Sequence, residues 1–487
     1  MNTPTDFESE QTGSSNCPLL SDSAHTRKLL SNAEGDLATL DAKIANVELT
    51  LHNLRFQRDE ILARMKLYQA SIAPHRKLPR EILSEVFVHC VDGSINVPLM
   101  LSDLNEAPWN LAHVCISWRG IVLSSPKLWA DITVKFPYSS MPSDWSRHIS
   151  ILGHLFRRAS ISPLSLTINR PPAAFLDILP KFIIRHSSRL RKLSLSLCYS
   201  LMNISALPRS SMECLEAISV DADLQSIPDI ICLNAPNLRS VQIAINHLSP
   251  SALHLPWAQI TQLHLSGLYP DFQTVNTMMT QCTSLVDCSL GFWSTKSNPL
   301  EPGPVIIVPK MPSFTLDFAF SIVQHHAIIF SQFSFVHVVR LKLVQKSRSY
   351  PYIFDCVSPL AHSNVLKSLQ IDFALPTAKV EEILMTLPLL EELSLPNSHY
   401  ISNFALRGMA CGELVPKLVD LTCRIEVALL DVHLDMLETR RSPSNPAAEI
   451  CHVTFVVRRQ EDLPEMETFA RIEKLRESGL KIALQYL

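Results

Sequence analysis

The chain has 487 residues, 47 % of them hydrophobic and 18 % charged, with 43 Lys+Arg against 46 Asp+Glu and a formal net charge of −3. That is enough apolar material for two or more domains, or for one extended array of repeats. The near balance of charge excludes a mainly electrostatic attraction to nucleic acid or to an anionic membrane.

The first twenty residues are acidic and polar, unlike a signal peptide, and a disordered tail is expected over 1–27. The twelve cysteines are scattered, with no CxxC spacing. They read as reduced thiols of an intracellular protein, cytoplasmic or nuclear, not as a disulfide framework or a zinc site.

A coiled-coil-like helix is expected over 28–73. Leu30, Leu37, Ile44, Leu51, Arg58, Met65 and Ile72 form one series, and Ala33, Leu40, Val47, Leu54, Ile61 and Tyr68 the other. The alternating three- and four-residue spacing is a heptad seam broken only by Arg58. It suits a homodimer, or one long helix laid on the rest of the chain or left largely solvated. Pro74 ends the pattern.

Next comes KLPREILSEVFVHC, residues 77–90, with two apolar rows: Leu78, Ile82, Val86 and Cys90 at spacing four, and Leu83 with Phe87 beside them. Pro79 suits the first turn of a helix, and Pro108 and Pro126 would open two more. Residues 107–129 read APWNLAHVCISWRGIVLSSPKLW. Leu111 with Cys115, and Cys115 with Trp118, are spaced to share a helix face. The expected core of this small three-helix unit is Val86, Leu111, Val114, Trp118, Leu128 and Trp129. A unit of about fifty residues is marginal alone and needs a neighbour to lean on.

LPxEIL, VCxxWR and SPxLW in this order resemble the F-box, in the F-box-like form abundant in mushroom-forming (basidiomycete) fungi. The resemblance implies a module over 74–135 that docks to the Skp-type adaptor, and through it the cullin, of a ubiquitin ligase. By the same resemblance Leu78, Pro79, Ile82, Leu83 and Phe87, helped by Val114 and Cys115, would form the adaptor-binding surface. Two departures from the family pattern are the insert at 91–107 and Ile116, which stands where a basic residue is common.

After a connector over 136–160, a repeat fills the chain from 161 to 487. An apolar-x-x-apolar-x-apolar register starts at Ile161, Leu190, Leu215, Leu238, Ile260, Leu285, Met311, Val338, Leu366, Leu390, Leu418 and Ile450, and Ile482 with Leu484 would cap it. The residue between the last two apolar positions is always polar: Ser165, Ser194, Ser219, Gln242, His264, Ser289, Thr315, Lys342, Gln370, Ser394, Thr422 or Thr454. Side chains alternate across a strand, so each repeat has one dry face and one wet face. The spacing resembles that of leucine-rich repeats. Their Asn/Cys position is kept only at Asn169, Cys198 and Asn246, so an irregular solenoid with a curved parallel sheet is expected, with loops near 297–310 and 440–449. The polar row from Ser194 to Thr422 is the candidate face for a protein substrate.

Residues 318–339 carry no Asp, Glu, Lys or Arg. Gln324, His325, His326, Gln332 and His337 would be costly in a bilayer centre, so a buried helix followed by a strand is expected there. No GxGxxG, GxxxxGK[ST], HExxH or GxSxG motif occurs, and the adjacent His325 and His326 are poorly spaced for a metal. The expected fold class is therefore α/β: a long helix, a small all-α module and a repeat solenoid, with no cofactor and no catalytic residues. The expected role is a non-catalytic substrate receptor of a cullin-RING ligase. The alternative is a ligase-independent coiled-coil and repeat scaffold for protein–protein interaction.

Overall fold

The computed structural model of the chain describes residues 23–72, 77–91, 93–97, 105–136, 145–198, 212–222, 231–232, 234–294, 300–320, 323–345, 357–361, 363–397, 401–457 and 466–486. Most of the tail expected over 1–27 lies outside them, but residues 23–27 are already helical. The chain divides into two compact units, residues 1–83 and 84–487.

The first unit is dominated by one helix, Ser23–Ile72, about 75 Å long at 1.5 Å per residue. Every side chain described on it is exposed, the heptad residues included. Exposed Arg58 donates from Nη2 to Oδ1 of its own neighbour Asp59 at 2.8 Å.

The second unit is built on a fifteen-stranded sheet in which every pairing is parallel and the strands stand side by side in chain order. Parallel neighbours need a crossover, which is why the strands recur at intervals of some 25 residues. Helices supply several crossovers, among them Ala173–His186, Phe272–Gln281, Thr377–Thr386 and Asn403–Cys411. Phe272–Gln281 starts where Asp271 Oδ1 accepts the Thr274 amide at 3.2 Å. Asn403–Cys411 is capped by Ser402 Oγ on the Ala405 amide at 3.1 Å and stops at Gly412 in the left-handed region, φ 81°. A Cβ on Gly412 would also come within 2.7 Å of the Ala447 side chain.

The sheet runs in the register read from the sequence from its fourth strand to its last. Leu193, Ile218, Val241, Leu263, Cys288, Phe314, Leu341, Leu369, Leu393, Leu421, Val453 and Ile482 are successive direct partners. All are buried, and so is the residue two further on in each strand as far as Phe455. A cluster of Phe292, Phe314, Phe330, Phe333 and Phe335, with ring centroids 5.4–6.2 Å apart, thickens the core at mid-sheet.

Two expectations are corrected. The first repeat is two residues out of step: Leu166, not Leu164, pairs with Leu193, and a further one-residue register shift sets Leu164 opposite Leu190. Ile161, the supposed start, is 91 % exposed, and Thr167 rather than Ser165 lies beside Ser194. The sheet also begins before 161. Asp131–Lys135 pairs with Leu164–Asn169, and Ile95–Asn96 pairs with Asp131–Lys135, so sheet occupies part of the module expected to be all helical. Trp129, Ile132 and Val134 carry the same apolar spacing as the later repeats and are all buried.

Residues 318–339 form the end of the strand Met311–Phe320, the nine-residue helix Val323–Ser331, the short strand Phe333–Ser334 and the start of Val338–Val344. No helix among the described residues is long and apolar enough to cross a membrane. Ile306–Ile307, in one of the expected loops, pairs with Phe333–Ser334.

Candidate docking surfaces

Helix Arg80–Cys90 opens with Pro79, whose carbonyl accepts the Leu83 amide at 3.1 Å. Its two apolar rows separate cleanly by exposure. Leu83 and Phe87 are 6 % and 1 % exposed, while Ile82 and Val86 are 50 % and 44 % exposed. Leu78 and Pro79 ahead of the helix are exposed as well. This reverses part of the expected assignment: Leu83 and Phe87 turn inward instead of lining a surface, and Val86 turns outward instead of filling the core. The ring of Phe87 lies 4.7 Å from that of Trp118, which fixes which row faces in.

Within the second unit this helix is tied to the turn around Pro126 by polar contacts. The Ser84 and Ser125 hydroxyls are 2.7 Å apart, and Lys127 Nζ lies 2.9 Å from Glu85 Oε1. Lys127 holds the Glu85 carboxyl below its ordinary pKa by a hydrogen bond and by its charge. Buried Trp129 donates from Nε1 to the Val122 carbonyl at 2.9 Å, packs edge-on against Trp109 at 5.2 Å and lies under the Arg158 guanidinium at 4.9 Å. Leu128 is buried; Leu111 and Trp118 are half-buried.

Cys115 takes a role the spacing did not reveal. Its backbone is extended, φ −160° and ψ 169°, and splits the expected continuous helix into Trp109–Val114 and Ile116–Ser124. Leu111 and Cys115 therefore do not share a helix, and Cys115 Sγ caps the second one by accepting the Trp118 amide at 3.4 Å. Flanking it, Val114 and Ile116 are 57 % and 85 % exposed. Ile116 was not among the expected surface residues; its signal was an apolar residue in place of a basic one.

The second surface is the open face of the sheet. Thr167, Ser194, Ser219, Gln242, His264, Ser289, Thr315, Lys342, Gln370, Ser394, Thr422 and Thr454 are successive neighbours across twelve strands. All are at least partly exposed. All ten candidate residues thus lie in one row. Three residues of the row meet carboxylates beside it: His264 Nε2 is 3.2 Å from Asp287 Oδ2, Lys342 Nζ is 3.8 Å from Asp372 Oδ2, and Gln370 Nε2 donates to Asp372 Oδ1 at 2.8 Å. Near the last strands His452 Nδ1 is 3.9 Å from Asp420 Oδ2. Burial raises the Asp420 carboxyl above its ordinary pKa; His452 opposes the rise and Glu392 adds to it. The arrangement offers hydroxyls, amides and spaced charges of both signs over a long strip, which suits recognition of a polypeptide surface by many weak contacts. No group of three metal-ligating side chains occurs among the described residues.

No protein-family model matches the chain, and no curated protein matches it either.

Proposed function

We propose that this chain is a non-catalytic substrate-recognition subunit of a cullin-RING ubiquitin ligase. In this reading residues 74–135 act as an F-box-like module that docks to a Skp-type adaptor, and the leucine-rich-repeat-like array beyond it holds a protein substrate. The observation that carries it is the division of the helix Arg80–Cys90, whose Leu83 and Phe87 are buried while Ile82 and Val86 are bare. A helix needed only for its own core has no use for the second row. The motif residues LPREIL, VCISWR and SPKLW around it favour an adaptor of the Skp type as occupant. We assign docking to the outward row of this helix, Leu78, Pro79, Ile82 and Val86, in place of Leu83 and Phe87, and take Val114 and Ile116 of the second unit as separate exposed candidates. The row Ser194–Thr422 is assigned to the substrate, whose identity the surface chemistry does not specify.

Co-purification with a Skp-type adaptor tests this. The wild-type chain is expected to retain the adaptor, and Ile82→Lys with Val86→Lys to release it, as central apolar anchors do. A wild-type chain that fails to hold the adaptor where an authentic F-box protein does would leave the second reading, a ligase-independent scaffold. The fully exposed helix Ser23–Ile72 is the observation that favours that alternative.

A further inference from the structure

We infer that the helix Ser23–Ile72 pairs with the same helix of a second copy of this chain, as a parallel, in-register, two-stranded coiled coil. The observation is independent of the ligase reading. Twelve of the thirteen seam positions from Leu30 to Ile72 are apolar, and all are exposed, from Leu51 at 45 % to Ile72 at 72 %. An apolar repeat of 3.5 residues sustained over six heptads fits only another helix of the same repeat, because a straight helix on a globular surface follows 3.6. Helices in water owe most of their stability to packing of such a face, and every described side chain of this helix is exposed. A second copy carries a seam of identical length, spacing and end points.

Arg58 selects the alignment. In a parallel, in-register pair the two Arg58 side chains meet each other, so one layer of the seam is broken. A pair shifted by a heptad, or an antiparallel pair, sets each Arg58 against an apolar residue and breaks two layers. The guanidinium is already drawn away from the seam toward Asp59 on the outer side of the helix, which leaves one methylene stem from each chain in the shared layer. A flank open to solvent is available in a two-stranded coil and is lost as strands are added, so a single polar seam residue also limits the number of strands. The remaining flanking charges do not choose between orientations: Lys43 would face Glu48 of the second copy in the parallel pair, but Asp36 would face Asp41.

Sedimentation equilibrium of the full chain is expected to give twice the mass of one chain. Leu40→Lys with Leu54→Lys, both on the seam, is expected to weaken association at least a hundredfold and return one chain's mass. Leu49→Lys with Phe56→Lys, on the opposite side of the same helix, controls for lost helicity and is expected to leave the dimer intact. For orientation, a Leu40→Cys chain oxidised and digested is expected to yield a 40–40 disulfide-linked peptide. A single-chain mass for the wild type overturns the proposal, as does dissociation by the control pair but not by the seam pair. A Leu40→Cys, Met65→Cys chain that links 40 to 65 between copies overturns the parallel alignment.

Discussion

Arg440 is 1 % exposed, yet its guanidinium meets no carboxylate among the described hydrogen bonds. It donates instead to four backbone carbonyls: Ala448 at 2.9 Å from Nε, Met409 at 2.8 Å from Nη1, and Val415 at 2.9 Å and Leu418 at 3.2 Å from Nη2. One side chain thus satisfies the end of helix Asn403–Cys411, the turn after it and the approach to the last repeats. Burial lowers its pKa to about 10, still well above neutrality, so it remains charged. Arg440→Met fills a similar volume but leaves several buried carbonyls without donors. A loss of about 3–5 kcal/mol is expected, read as a lower denaturation midpoint, with little rescue by Arg440→Lys, which lacks the planar fork. Its neighbour His433 carries a pH dependence. Its Nδ1 meets the Leu429 carbonyl at 2.8 Å, its Nε2 is buried without a partner, and its ring stands edge-on to Phe455. Burial pushes the imidazole pKa down, against the opposing pull of the Leu429 carbonyl. The unfolded chain therefore takes a proton first as pH falls, and the stability due to a neutral His433 is lost below the ordinary value of about 6.5. His186 and His325, also depressed by burial, act in the same direction. The thermal midpoint is expected to drop on acidification through that range, and His433→Gln to make the drop shallower.

At the scale of elements, the helix Arg80–Cys90 separates stability from docking. Phe87 is buried against Trp118, so Phe87→Ala is expected to destabilise its module by about 3–5 kcal/mol. Val86→Lys changes an exposed position one residue away and is expected to shift stability by about 0.5 kcal/mol or less while removing adaptor retention. Thermal unfolding of both variants, set beside adaptor retention, checks the separation; loss of fold in Val86→Lys would place that row in the core after all. The helix itself was legible in its sequence, because both rows recur at spacing four and Pro79 marks the start. Which row turned inward was not legible. Rows 82/86 and 83/87 are adjacent stripes of equal hydrophobicity, and the choice depended on where Trp118 stands, thirty residues further on. The break at Cys115 was hidden for a related reason: the apolar spacing runs through it, and the extended backbone appears only once Sγ caps the next helix.

For the molecule as a whole, each strand of the long sheet pairs with its neighbours in sequence, so stability is expected to be nearly a sum over adjacent repeats. A chain ending at residue 465 loses the strand Lys481–Tyr486 that pairs with His452–Val457. Hydrogen exchange is expected to show the amides of 452–457 losing protection while those of Gln262–Leu268, seven strands away, keep theirs; uniform loss would mean one cooperative unit. From the fourth strand onward, the repeated strands, their buried positions and the polar row between them could be read from residue order alone. A strand dictates its own two faces through alternation, and twelve repetitions of one alternation leave little room for another register. The heptad helix was equally self-contained, since its period is a property of the chain. Tertiary structure decided what depends on a neighbour: the two-residue slip that puts Thr167 beside Ser194, the entry of Ile95–Asn96 and Asp131–Lys135 into the sheet, the inward turn of Phe87 and the burial of Arg440. Each of these places a group against a partner distant in sequence, and no local periodicity encodes that choice.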